Sequence, residues 1–115
     1  MEYMSVSAAE EDYSYADNTA IGVIITNADF DKAALCKLAG MAHDGYARSI
    51  RPVHTGFDGD SIYAVSCGCV NADRELVGTL AAEAISEAIT RAVRSARSAY
   101  GFPAAGALFG TEENA

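Results

Sequence analysis

Apolar and polar positions divide the chain into an unpatterned start, two strand-like runs and two helix-like runs. Residues 1–18 mix Tyr3, Tyr13 and Tyr15 with acids and serines and show no regular period, so they read as an acidic extended arm or the end of a longer segment. Residues 20–27 carry Ile21, Val23, Ile24 and Ile25, a near-continuous β-branched run that predicts a strand covered on both faces. Asn27-Ala28-Asp29 breaks it, and Asp31, with Asp29 as the neighbouring candidate, is placed to cap a helix. From Lys32 to Ser49 the positions Leu35, Leu38, Met41, Ala42 and Tyr46 recur at helical spacing. Gly40 and Gly45 each weaken that helix by up to about 1 kcal/mol relative to alanine, or else admit another backbone at close range.

Arg51-Pro52 ends the helix, because a residue before proline avoids the α region. A loop, His54-Thr55-Gly56-Phe57-Asp58-Gly59-Asp60, leads to a second strand over 61–67, stopped by Gly68. In it Ile62, Ala64 and Ser66 face one way and Tyr63, Val65 and Cys67 the other. The clearest element follows from Asp73 to Tyr100, where Leu76, Val77, Leu80, Ala81, Ala84, Ile85, Ala88, Ile89, Ala92, Val93 and Ala96 define one face. Glu83, Glu87, Arg91 and Arg94 lie on the other, with Glu87 and Arg91 spaced for an i,i+4 pair. Gly101 and Pro103 close this helix, and 104–115 reads as a flexible tail. The fold class is α/β in the order strand-helix-strand-helix. Two strands leave unpaired edges, so the chain is expected to self-associate or to belong to something larger.

Composition narrows the function. A length of 115 residues fits one domain. A net charge of −8 argues against a nucleic-acid partner, which requires a basic face to displace counterions. Cys36, Cys67 and Cys69 form neither a disulfide framework nor a C-x-x-C pair, and read as reduced thiols. No basic region followed by an apolar core opens the sequence, and no run approaches the ~18 apolar residues that span a bilayer. The expectation is a cytoplasmic protein without a membrane partner.

Asn18-Thr19 stands at the mouth of the first strand. Cleavage between them would give Thr19 a free amine beside its own hydroxyl, which is a base next to a nucleophile. That amine has an ordinary pKa of about 7.7–8.0, close to the optimum for a general base at neutral pH. Taken alone, a threonine here is ordinarily just a good strand former, and Asn18 a turn residue. His43-Asp44, with His54 and Asp58, offers the residue types of a metal site, but one helical His-Asp pair is weak evidence and more ordinarily serves capping or packing.

Four separated segments carry a family resemblance: Asn18 to Ile24, Met41-Ala42-His43-Asp44-Gly45-Tyr46-Ala47-Arg48, Arg51-Pro52-Val53-His54-Thr55, and Asp58-Gly59-Asp60. They closely resemble the L-aminopeptidase/D-esterase family, the self-processing aminopeptidases of DmpA type. Gly78-Thr79-Leu80-Ala81-Ala82-Glu83 and Ser98-Ala99-Tyr100-Gly101 are similar to that family's C-terminal part, so the resemblance covers residues 18–103.

The resemblance implies part of an αββα sandwich like that of N-terminal-nucleophile hydrolases. It implies self-cleavage with Asn18 as the cleavage partner and Thr19 as the catalytic nucleophile. Hydrolysis of an N-terminal amide or an ester of a peptide or amino acid would then run through an acyl-threonine. It places His54, Thr55, Asp58 and Asp60 near the nucleophile, as pocket or orienting residues, and implies neither metal nor organic cofactor. Family members carry a long portion ahead of the cut, which supplies much of the sheet, part of the pocket and an oxyanion donor. This chain therefore resembles the small subunit over 19–103, preceded by a stub and expecting a large subunit. A non-catalytic association module is the rival reading. A metal-dependent hydrolase built on His43 and His54 is the third.

Overall fold

The computed structural model describes residues 18–110. Residues 1–17 of the acidic arm and the last five residues of the tail lie outside the described residues. Five elements follow in order: β1 (Ile21–Ala28), α1 (Lys32–Ser49), β2 (Ser61–Val70), α2 (Arg74–Ser95) and α3 (Ala105–Phe109). β1 and β2 pair in parallel, with α1 as the crossover between them. The architecture is mixed α/β, with two parallel strands under a layer of helices.

Local chemistry sets the helix ends. Asp31 accepts from the Ala34 N–H at 2.8 Å and caps α1. Asp73 does the same for α2 through Leu76 N–H, also at 2.8 Å. The cap oxygen satisfies one of the amides that the first helical turn leaves without a partner. α1 ends at Ser49 as Ile50 turns extended and its N–H donates to Tyr46 O, just ahead of Pro52.

Leu38, Ala42 and Tyr46 of α1 and Ala81 and Ile85 of α2 form the buried core, against which Ile24, Ile62 and Ala64 of the sheet pack. The helices approach closely at Gly45, where a β-carbon would lie 2.4 Å from Ala82 O and 2.8 Å from Ile85. Gly40, on the same helix, faces open space. Of the two readings of these glycines, close approach holds at Gly45 and simple helix weakening at Gly40. Tyr46 is 2% exposed and its hydroxyl donates to Ser61 O at 3.1 Å, tying α1 to the start of β2.

Three expectations are corrected. β1 is covered on one face: Ile24 turns toward the helices, while Ile21 and Ile25 are 72% and 71% exposed among the described residues. With Val23, Tyr63 and Val65 they make an open apolar sheet face. Gly68 does not stop β2, which runs on to Val70. The pairing is irregular between Thr26 and Ala28, and a β-carbon on Gly68 would meet Asn27 O at 2.4 Å. Glycine there admits the neighbouring backbone rather than ending the strand.

α2 ends at Ser95, not Tyr100. Its apolar spacing continues, but every residue from Arg91 to Pro103 is exposed, so little burial rewards further winding. Ser95 Oγ instead donates to Arg91 O at 2.7 Å. Beyond it, Ala99 and Phe102 exchange backbone hydrogen bonds around Tyr100 and Gly101, both in the left-handed region, which is a tight two-residue turn. Within the stretch read as a tail, α3 forms a short helix. No helix among the described residues is long and apolar enough to cross a membrane.

The packing makes opposite predictions for two glycines in one helix. Gly40→Ala raises the unfolding free energy by up to about 1 kcal/mol through helix propensity. Gly45→Ala lowers it by about 1–3 kcal/mol through overpacking. Urea midpoints measure both, and a Gly45→Ala midpoint at or above the wild-type value would contradict the contact.

Burial, and then the nearby Asp60 charge, push the Tyr46 phenol above its ordinary value of 10.0. Above about pH 10 the unfolded chain releases that proton before the folded one does, so alkali favours unfolding. Stability from this residue is complete below pH 10 and is lost as the pH rises through the folded value. Tyr46→Phe loses about 0.5–1.5 kcal/mol at neutral pH with the hydrogen bond. It also flattens the alkaline limb of a plot of unfolding midpoint against pH; an unchanged limb would show that Tyr46 is not its source.

Candidate active site

The register that pairs Ile21 with Ser61 extends backward beyond β1. Asn18 and Asp58 form a parallel bridge. Asn18 N–H donates to Phe57 O at 3.3 Å, Gly59 N–H to Asn18 O at 2.8 Å, and Ser61 N–H to Ala20 O at 2.9 Å. The peptides on both sides of Thr19 are therefore held against the Asp58-Gly59-Asp60 loop. Thr19 itself is exposed. A β-carbon on Gly59 would lie 3.1 Å from Thr19 Oγ1, so the loop backbone runs directly beside the hydroxyl.

The loop shapes itself around its acids. Asp58 Oδ2 accepts from Thr55 N–H at 2.7 Å, and Asp58 N–H donates to Thr55 O at 3.1 Å, closing a tight turn. Asp60 Oδ1 accepts from Ala20 N–H at 3.1 Å, one peptide beyond Thr19. Its second oxygen, Oδ2, is buried and lacks an aligned hydrogen bond; His54 Nδ1 approaches it at 3.2 Å. A cleft of about 620 Å³ opens beside these groups, walled by Ile50, Val53 and Phe57 and reaching Thr19, Asp58 and Asp60.

Of the residues singled out by sequence, Asn18, Thr19, Asp58 and Asp60 converge at the start of β1. His54 joins them through Asp60. Thr55 serves the Asp58 turn and lines the cleft. The His43 and His54 rings lie 4.9 Å apart, but Asp44 is exposed, and among the described residues no group of three or more His, Cys, Asp or Glu is arranged to hold a metal ion. Sequence reasoning gave Gly59 no task, because its contribution is a backbone N–H and an absence of side chain. The signal available was the glycine between two acids, where a loop can approach another strand closely.

The cleft and the held peptide suit acyl chemistry at a threonine. They provide a hydroxyl, a carbonyl already bonded by a backbone N–H, and two carboxylates within the same turn.

Comparison with known proteins gives the chain its relatives. It is similar to an aminopeptidase of Mycobacterium leprae, at 37% identity over 101 residues, covering 75% of this chain and 28% of that protein. An aminopeptidase of Mycobacterium tuberculosis H37Rv matches at 37% over 101 residues, covering 75% and 29%. A 6-aminohexanoate-oligomer endohydrolase of Paenarthrobacter ureafaciens matches at 30% over 90 residues, covering 67% and 25%. No solved structure matches. The chain thus spans less than a third of the length of these relatives. The sequence profile of peptidase family S58 matches residues 2–105. That match takes in the held Asn18-Thr19 peptide, the 54–60 loop and both long helices, and the chain belongs to peptidase family S58.

Proposed function

We propose that this chain is the nucleophile-bearing part of a self-processing aminopeptidase of the L-aminopeptidase/D-esterase type. The observation that carries the reading is the Asn18 carbonyl, bonded by Gly59 N–H at 2.8 Å with Thr19 Oγ1 beside the same glycine. In this reading Thr19 Oγ attacks the Asn18 carbonyl carbon and the C–N bond breaks. The nitrogen leaves with a proton, and an ester joins Asn18 to Thr19. Gly59 N–H stabilises the oxyanion on the way. Water then hydrolyses the ester, leaving a carboxylate on Asn18 and a free amine on Thr19. Turnover repeats the attack on an N-terminal amide or an ester, with the Thr19 amine as base and an acyl-threonine as intermediate. Asp58 and Asp60 orient this end of the strand, and the cleft beside Phe57 receives the substrate.

The open face of Ile21, Val23, Ile25, Tyr63 and Val65 supports a second layer, since a patch of that kind ordinarily meets a partner. We assign that layer to a large subunit, which would complete an αββα sandwich around the 19–103 unit, in the cytoplasm. The same face also supports the rival reading, an association module without activity.

Intact mass separates the two. On incubation, alone or co-expressed with the N-terminal portion of a related aminopeptidase, the chain loses residues 1–18. Thr19→Ala abolishes the loss. Gly59→Ala slows it by roughly 10–100-fold, because its β-carbon displaces the hydroxyl. A mass that never changes under either condition would remove the Thr19 mechanism and leave the association module.

A further inference from the structure

We propose that His54 is a positioning residue that fixes the Asp60 carboxylate in the orientation by which it holds the start of β1. The inference rests on Thr19 being the nucleophile, and assigns a residue to the control of its site.

Three observations carry it. The first is the division of labour on Asp60. Oδ1 accepts from Ala20 N–H at 3.1 Å, while Oδ2 is buried without an aligned hydrogen bond and meets His54 Nδ1 at 3.2 Å. The Asp60 side chain is 8% exposed, so water is a poor substitute for that donor. Without the imidazole, Oδ2 would lose its nearest donor and the carboxylate would be free to rotate away from Ala20 N–H.

The second is the backbone. His54 has φ of 56°, in the left-handed region that a β-carbon disfavours. Glycine or asparagine takes up this conformation more readily. An imidazole held at such a position points to the side chain as the reason.

The third is the support behind the ring. His43 lies 4.9 Å from His54 and edge-on to Tyr46 at 5.2 Å, and Tyr46 is anchored on Ser61 O, the residue after Asp60. The imidazole is therefore backed by α1 on one side and meets the carboxylate on the other. The whole relay runs from α1 through His54 and Asp60 to the peptide that follows Thr19.

Three substitutions test this in the full chain co-expressed with the N-terminal portion of a related aminopeptidase. His54→Gly removes the ring and relieves the backbone. His54→Asn keeps the left-handed backbone and places an amide nitrogen where Nδ1 stands. His54→Gln places its nitrogen where Nε2 stands. Release of Thr19 is expected to slow at least tenfold in His54→Gly, with no drop in unfolding midpoint. His54→Asn is expected to recover most of the rate, and His54→Gln is not. A His54→Gly chain that is cut as fast as the wild type, or Gln matching Asn, would overturn the assignment while leaving Thr19 in place. A wild-type chain that is never cut would overturn both. Imidazole ¹⁵N shifts read the contact without any cleavage. A proton on Nδ1 that is lost in Asp60→Asn supports the pairing, and a ring protonated on Nε2 alone contradicts it.

Discussion

The parallel register of β1 on β2 sets everything at the candidate site. Pairing Ile21 with Ser61 brings Thr19 beside Gly59 and Asn18 beside Asp58. A slip of β1 by one residue would turn Ile24 away from the helices and Ile21 and Ile25 toward them, leaving Ile62 and Ala64 of β2 without that partner, so the core that fixes the register also fixes the site. The two groups at the site come from segments about forty positions apart, and the hydrogen bonds that join them are ladder bonds continued past the end of the strand. The Asn18-Thr19 peptide is thereby held by backbone bonds from the 57–59 segment, with the Asp60 carboxylate holding the peptide that follows Thr19.

Helix packing explains how so small a unit keeps this register. α1 and α2 meet through small residues, Gly45 against Ala82 and Ala42 and Ala81 in the core, which lets two backbones close over one sheet face. Tyr46 reaches through that layer to Ser61 O. The other sheet face stays apolar and open among the described residues, and the relatives are more than three times as long as the part of them matched here. The proposed second layer would cover that open face.

What could be read from sequence depended on whether the signal was local. α1 was legible at both ends, since Asp31 and Pro52 stand next to the residues they act on. The end of α2 was not, because Ala92, Val93 and Ala96 keep the helical spacing after the neighbouring helix has run out. Gly68 looked like a stop, yet its role depends on Asn27 across the sheet, forty-one positions away. At the site, Asn18, Thr19, Asp58 and Asp60 were nameable as residue types that do acyl chemistry. The Gly59 N–H and the contact between His54 and Asp60 were not, because one belongs to the backbone and the other needs a left-handed residue that no spacing rule foretells. The open face of β1 was hidden for a related reason: a run apolar on both sides shows that a cover is wanted, not where the cover comes from.

In the proposed mechanism Thr19, once at a chain start, carries the acyl group. Treating the processed protein with a slowly hydrolysed amino-acid ester, quenching in acid and fragmenting the digest by tandem mass spectrometry would locate that group. One added acyl mass is expected on a peptide beginning at Thr19. An acyl mass on another residue, or hydrolysis by a chain whose Asn18-Thr19 bond stays intact, would contradict it.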